Sequence, residues 1–181
     1  MPAGAIQPHQ IADRAGGPKW KAAISLAFLL AVSSAIAEGL LVHVVGVSDG
    51  DTITVIDSFR KQYKVRLAGI DAPERKQAFG DQSRQALASR VFDQQVVIEL
   101  GKSDRYGRIL SKVVIHGDDV DLEQIASGMA WHYRKYQKDH TPEDRSAYGR
   151  AEAAARKAGL GLWQDKNAIP PWDFRKSAKG A

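Results

Sequence analysis

Hydrophobic and polar residues alternate along much of the first two thirds of the chain, which is the spacing of half-buried β-strands. The alternation is clearest from Gln62 to Ile70, where apolar positions face one way and polar positions the other. A turn at residues 48–50 joins the first two strands, so the first three are expected to form a meander. The predicted strands are residues 40–47, 51–57, 62–70, 95–100 and 108–115.

Apolar residues at helical spacing predict three helices. The first runs from about Asp81, a potential cap, to Phe92, and the second follows a cap at Asp119 or Asp121 and reaches Ala130. The third begins at the cap Thr141, has Pro142 in its first turn and ends at Gly159. The segment around the Pro-Pro-Trp sequence at 170–172 is predicted to be extended.

Five strands with helices inserted and appended indicate an α+β protein. The arrangement fits a five-stranded OB-fold β-barrel with three α-helices, a shape that often binds oligonucleotides.

The N-terminal segment has the layout of a secretory signal peptide. Lys19 and Lys21 precede the apolar run 22–32, and small residues at 35–37 come before Glu38. We therefore expect residues 1–37 to be removed by cleavage after Ala37. An uncleaved anchor helix is the alternative, but two serines interrupt a run already shorter than the ~20 residues that a membrane span needs. The predicted organisation is a signal at 1–37, a globular domain at 38–165 and a C-terminal tail at 166–181.

The composition limits the size of the protein's core, the kind of ligand it suits and the catalytic groups it can use. The 181 residues, 44% of them hydrophobic, suffice for one domain with a real core. The formal charge of +5 falls to +3 when three basic residues and one acidic residue leave with the signal, a mild basicity that suits a polyanionic ligand. The absence of cysteine excludes disulfides, thiolate metal sites and cysteine nucleophiles.

Three short polar segments carry candidate chemistry: Asp-Gly-Asp-Thr at 49–52, Val-Arg-Leu-Ala-Gly-Ile-Asp-Ala-Pro-Glu at 65–74, and Asp-Arg-Tyr-Gly-Arg at 104–108. They offer acidic metal ligands, a spare carboxylate and two guanidinium groups, which suit the cleavage of a phosphodiester at a hard cation. Oxygen ligands without cysteine or paired histidine favour Ca²⁺ or Mg²⁺ over zinc. Taken alone, the first segment could simply form a turn.

The three segments, in this order and each beside a predicted strand or turn, resemble the staphylococcal-nuclease (thermonuclease) family over residues 40–165. That resemblance implies the same OB barrel with three helices. It also implies a Ca²⁺-dependent phosphodiesterase, an endonuclease that acts on DNA and RNA with little sequence specificity and leaves 3′-phosphate ends.

The resemblance also assigns roles to individual residues. It implies metal ligation by Asp51, Asp71 and the backbone carbonyl of Ala72, and catalysis by Arg66, Glu74 and Arg108. Glu74 matches the general base, and the two arginines match the residues that contact phosphate. The alternative for Glu74 is an ordinary exposed loop residue. An arginine in mid-strand, as at position 66, is costly unless its head reaches a polar site, which favours the functional interpretation.

Tyr133 and Tyr136 follow the second predicted helix, where the family places aromatic residues against nucleotide. Their segment, 131–136, is rich in aromatic and cationic side chains, which suits stacking on bases and contact with phosphates. Packing in the core is an equally weighted alternative for both tyrosines.

The sequence thus predicts an exported nuclease, periplasmic or secreted, that is monomeric and has no stable membrane association after signal cleavage. Two other interpretations stay open: a noncatalytic OB-fold module that binds nucleic acid, and an exported domain whose bound calcium only stabilises the fold.

Overall fold

The computed structural model describes residues 39–99 and 101–178, and the predicted signal segment lies outside them. The strands are β1 (Gly39–Asp49), β2 (Thr52–Ile56), β3 (Gln62–Leu67), β4 (Ile70–Asp71), β5 (Gln95–Glu99), β6 (Ile109–Ser111), β7 (Val113–Ile115), β8 (Asp118–Asp119) and β9 (Trp131–His132). The helices are α1 (Gly80–Val91), α2 (Val120–Ala126), α3 (Pro142–Ala158) and α4 (Pro171–Ser177), with 3₁₀ turns at Arg134–Asp139 and Gly161–Gln164.

The predicted α+β class is confirmed, and the strands form an OB-like curved sheet. Seven strands pair in the order β6-β3-β2-β1-β5-β7-β8, while β4 pairs with β9 in a separate two-stranded sheet. β6 runs parallel to β3, and β7 runs antiparallel to β5. The barrel is not closed by one continuous ladder: the predicted strand 108–115 divides at Lys112, and its first part pairs with β3 while its second part pairs with β5.

The predicted strand 62–70 also ends early, and Gly69 explains why. Its φ of +73° lies in the left-handed region, and a Cβ at this position would lie 2.5 Å from a ring atom of His140. The chain therefore turns after Leu67 and resumes as β4, which carries Asp71 away from the main sheet.

The core confirms the period-two pattern. Alternate positions of β2 and β3 are fully buried, and side chains from β1, β5 and the first three helices pack against them. The largest of these buried side chains include Ile53, Leu67, Ile70, Leu87, Ile98, Ile115, Ile125 and Tyr148.

Two of the three predicted helix starts are confirmed. Asp119 accepts a hydrogen bond from the backbone N–H of Leu122 at the start of α2, and Thr141 caps α3 in the same way. α1 instead begins after Phe79, so Asp81 lies in the first turn rather than at the cap. α2 ends at Ala126, four residues before the predicted end.

The prediction of an extended segment around residues 170–172 is wrong, because this segment enters α4. Pro171 occupies a first-turn position, where a missing N–H costs nothing, and Asp173 and Lys176 complement the helix dipole at the two ends. The ring of Trp172 lies 5.7 Å from that of Trp131 and 5.3 Å from that of Tyr133.

No helix within the described part of the chain is both long and apolar enough to span a membrane.

Candidate active site

The turn between β1 and β2 places Asp51 against the body of the protein. A Cβ on Gly50 would lie 1.8 Å from Oγ of Ser83 and 2.8 Å from Cβ of Ala72, so only glycine allows this close approach to α1. The side-chain amide of Gln124 on α2 donates to the Gly50 carbonyl at 2.8 Å. The turn is therefore fixed between two helices.

Arg66 joins the two carboxylates that the sequence predicted as metal ligands. It lies opposite Thr52 in the β2–β3 ladder, so its side chain starts next to the turn. Nη1 donates to Oδ1 of Asp51 at 2.5 Å, and Nη2 donates to Oδ1 of Asp71 at 2.8 Å. Both carboxylates are buried, with Asp71 fully so. The mid-strand arginine thus reaches a polar site, as predicted.

The Asp-Ala-Pro-Glu segment completes this group of side chains. The backbone N–H of Ala72 donates to Oδ2 of Asp51 at 2.9 Å, which fixes β4 and the following loop against the β1–β2 turn. Glu74 lies two residues further, with 38% of its side chain exposed. We call Asp51, Arg66, Asp71 and Glu74 the carboxylate cluster.

A residue that the sequence analysis missed also lies in this site. Arg175 of α4 donates through Nη1 to Glu74 at 2.7 Å and to Oδ1 of Asp71 at 3.1 Å. Its Nη2 donates to Oδ2 of Asp71 at 2.7 Å. The sequence does contain a signal for this helix, because a proline and then Asp173 are residues typical of a first helical turn. No local pattern indicates where the helix packs.

The charges in the cluster stabilise one another. Burial alone would lower the pKa of Arg66, but Asp51 and Asp71 raise it above its usual value. The hydrogen bond to Asp71, followed by that to Glu74, raises the pKa of Arg175 although burial opposes the change. Burial and the adjacent charge of Asp51 raise the pKa of Asp49 to about 7. Both arginines are therefore charged at every physiological pH.

Arg108 lies at the start of the strand next to β3 and does not bond to the carboxylate cluster. It immediately precedes β6, whose Ile109 pairs with Val65, so the alternation of side chains places Arg108 on the same face as Arg66. Its Nε donates to Asp104 at 2.9 Å, and this contact lowers the pKa of Asp104 against the opposing effect of burial. In the described residues its side chain has no hydrogen bond to the carboxylate cluster. Asp104 thus fixes the direction of a guanidinium next to the site.

The two predicted tyrosines lie near the cluster but in different surroundings. Tyr133 is held through its N–H to the Gly69 carbonyl at 2.7 Å, and Trp172 packs against its ring. Burial raises the pKa of Tyr133, with a further contribution from the charge of Asp71. Tyr136 is 50% exposed and contacts the ring of Tyr133. Neither tyrosine belongs to the hydrophobic core, and their contact with substrate stays a prediction.

The donor set fits a hard cation in its chemistry. Asp51 and Asp71 supply carboxylate oxygens, and Arg66 holds the two side chains near each other by donating to one through each of its Nη atoms. Among residues 39–99 and 101–178, no group of three or more acidic or histidine side chains has the arrangement of a metal site. Ca²⁺ binds six to eight oxygens, so the carbonyl of Ala72 and oxygens from water or substrate would have to complete the shell.

An OB-like sheet that presents acidic side chains and arginines at one rim defines a class of proteins suited to phosphodiester chemistry. Comparison with known proteins specifies the family. Residues 64–165 match the model of the family described as staphylococcal nuclease homologue. The chain belongs to this family.

Relatives agree with the assignment. The chain is 42% identical over 168 residues to a protein of Shigella flexneri named micrococcal nuclease, covering 88% of this chain and 94% of that protein. It is 41% identical over 137 residues to an uncharacterized endonuclease of Haemophilus influenzae, covering 76% and 74% of the two chains. It is 40% identical over 167 residues to protein ParB of Escherichia coli, covering 87% and 91%.

Proposed function

We propose that this protein is an exported, Ca²⁺-dependent nuclease that hydrolyses DNA and RNA with little sequence specificity and leaves 3′-phosphate ends. Membership of the family and the relatives named as nucleases support the nuclease activity itself. One structural observation carries the finer proposal: Arg66 joins two buried carboxylates at the sheet rim, with Glu74 in the next loop.

The carboxylate cluster, together with Ala72 and Arg108, would supply the functions that hydrolysis needs. When bound, Ca²⁺ would supply positive charge that offsets the charge of the phosphate and its transition state. Asp51, Asp71 and the carbonyl of Ala72 would hold it. Arg66 and Arg108 would neutralise the charge that grows on the phosphoryl oxygens.

Glu74 is the only partly exposed carboxylate of the cluster, which suits a general base. The oxygen of a water molecule bonds to phosphorus as one of its protons passes to Glu74. The bond from phosphorus to the 5′-oxygen breaks, and that oxygen takes up a proton from solvent. The products are a 3′-phosphate and a 5′-hydroxyl.

The direct test is digestion of single-stranded DNA and RNA by the purified chain, with Ca²⁺ or with excess chelator. The site variant is Arg108→Ala. The matched control is Arg90→Ala, because Arg90 is bonded to Glu123 and Asp118 on another part of the surface. We expect Ca²⁺-dependent digestion that Arg108→Ala abolishes and Arg90→Ala preserves. A folded protein that binds oligonucleotide without cutting it would instead be a noncatalytic OB-fold module, and one that binds only Ca²⁺ would be a structural domain.

We also propose export to the periplasm or the medium, on the basis of the signal-like segment 1–37. The mature chain would be a monomer without stable membrane association. Mass spectrometry of the protein recovered from periplasm and medium tests export and cleavage, since cleavage after Ala37 leaves Glu38 at the N-terminus. Recovery of the uncleaved chain in the membrane fraction would refute the proposal.

A further inference from the structure

Arg175 stands apart from the residues that the family assignment explains. It follows residues 64–165, to which the family model applies, and it comes from the short helix α4 rather than from the sheet. Yet it bonds two members of the carboxylate cluster.

We propose that Arg175 is a positioning residue for the reaction, which holds the Glu74 carboxylate in a fixed relation to Asp71. This inference rests on the proposed nuclease function.

The contacts of Glu74 carry the first step of the argument. Within the described part of the chain, the hydrogen bond from Arg175 is the one that its carboxylate receives. Glu74 lies in a loop, and its partly exposed side chain would otherwise sample several rotamers. A general base must lie within hydrogen-bond reach of the water that it activates, so an unrestrained carboxylate would spend much of its time elsewhere.

The geometry of the guanidinium carries the second step. One nitrogen, Nη1, donates to both Glu74 and Asp71, while Nη2 donates to the other oxygen of Asp71. A planar fork with fixed donors therefore sets the distance between the two carboxylates, which a flexible ammonium could not do. Asp71 is itself fixed because Arg66 donates to it from β3 at 2.8 Å.

The attachment of α4 carries the third step. The ring of Trp172 packs against those of Trp131 and Tyr133, and the amide of Gln77 donates to the carbonyl of Ile169 just before the helix. Arg175 thus projects from a helix that is attached both to the aromatic rings of Trp131 and Tyr133 and, through Gln77, to the loop that follows Glu74. Its hydrogen bonds are directed at carboxylates, so its expected effect is on the rate of the bound complex rather than on substrate affinity.

The kinetic test compares Arg175→Ala with the wild-type chain on a single-stranded oligonucleotide in saturating Ca²⁺. We expect kcat to fall about 10- to 100-fold, the scale of a misplaced catalytic group, while KM stays within about twofold. Arg175→Lys should recover only part of the rate, because it keeps the charge and loses the fork. Lys176→Ala is the matched control, because Lys176 is the next residue on α4 and its ammonium group donates to Asp173, which is outside the carboxylate cluster, at 2.9 Å.

Two results would overturn the assignment. A raised KM with unchanged kcat would make Arg175 a substrate contact. A loss of rate that persists in full when Arg175→Ala is added to Glu74→Gln would show that Arg175 does not act through Glu74, because two residues that act as a unit have non-additive effects. If Arg175→Ala does not fold by circular dichroism, the Lys variant carries the same comparisons.

A readout without hydrolysis completes the test. Arg175 places positive charge on both oxygens of Asp71, so its removal should tighten Ca²⁺ binding several-fold in calorimetry without substrate. Weaker or unchanged binding would contradict the contact with Asp71. Absence of hydrolysis by the wild-type chain would refute the proposed function, whereas an active wild type with an unaffected Arg175→Ala variant would refute this inference alone.

Discussion

Asp71 illustrates how single side chains determine this site. Its carboxylate is fully buried, which is costly for a charge, and two guanidinium groups compensate for the lost hydration. A buried charge that depends on a few partners keeps its orientation, because any rotation leaves a charge unpaired. In the proposed mechanism, these restrained side chains lie next to Glu74, the carboxylate that would take up the proton.

Replacement of Glu74 by Gln should separate binding from catalysis. The amide keeps the shape of the side chain and an acceptor for Arg175 but cannot take up a proton at neutral pH. We expect the single-turnover rate to fall by about 100-fold or more, with oligonucleotide affinity retained. Quenched-flow cleavage and fluorescence anisotropy measure the two quantities. Unchanged turnover would remove Glu74 from its assigned role.

Asp121 is a buried acid away from the site, and it should make stability depend on pH. Its Oδ2 accepts from the backbone N–H of Val113 at 2.9 Å, and its Oδ1 has no partner in the described residues. Burial, with the nearby charge of Asp119, raises the pKa of Asp121 well above its usual value. The folded state therefore keeps a proton that the unfolded state releases as the pH rises above about 4.

It follows that this group destabilises the fold increasingly as the pH rises, and Asp121→Asn should remove the effect. The advantage of the variant in unfolding free energy should grow by up to roughly 1 kcal/mol per pH unit until the folded carboxyl ionises. Urea unfolding at about pH 4.5 and about pH 7.5 measures it. A constant difference between the two proteins would contradict the raised pKa.

At the scale of elements, the sequence predicts best where local chemistry decides. Alternation fixed the core face of β3, and side-chain caps fixed the starts of α2 and α3. The failures have tertiary causes. The strand 108–115 divides because its halves bond to different partners, and Pro171 enters a helix because Trp172 finds aromatic rings to pack against.

A substitution at Gly50 tests whether the β1–β2 turn is held tightly against α1. Gly50→Ala places a methyl group against Ser83 and Ala72, so the turn must move away from α1. We expect a loss of about 2 kcal/mol in unfolding free energy from overpacking, together with a lower cleavage rate because Asp51 moves with the turn.

Gly149→Ala is the matched control for this change. A Cβ at Gly149 on α3 would meet nothing within 4 Å, and alanine favours helix, so stability should stay equal or rise by up to about 1 kcal/mol. Urea unfolding of both variants measures the contrast. Equal effects of the two substitutions would show that the turn has room to accommodate a side chain.

At the scale of the whole molecule, the site combines near and distant parts of the chain. The four residues of the carboxylate cluster could be predicted because two short, recognisable segments, 49–52 and 65–74, contain them. Arg175 could not, because 104 positions separate it from Asp71 and only the packing of α4 brings them together. Arg108 is an intermediate case. Its motif could be recognised in the sequence, but its hydrogen bond to Asp104 is seen only in the structure.

The net positive charge, +5 for the whole chain and +3 after the proposed cleavage, predicts that nucleic-acid binding weakens with salt. Binding should be measured in the Glu74→Gln background, so that the oligonucleotide is not cut. If Arg108 contacts one phosphate of a single strand, Arg108→Ala should reduce the slope of log affinity against log salt by about 0.7. Arg90→Ala should leave the slope unchanged. An equal slope for all three proteins would mean that Arg108 releases no counterion.

Because residues 109–115 pair with two different strands, they limit how the sheet can unfold locally. The first half of this run bonds to β3 and the second half to β5, so one short segment restrains both of these strands. Neither can separate from the sheet without breaking that segment's bonds. Amide hydrogens in β3 and β5 should therefore exchange with solvent together, through global opening, and proteases would find few partly open states to cut.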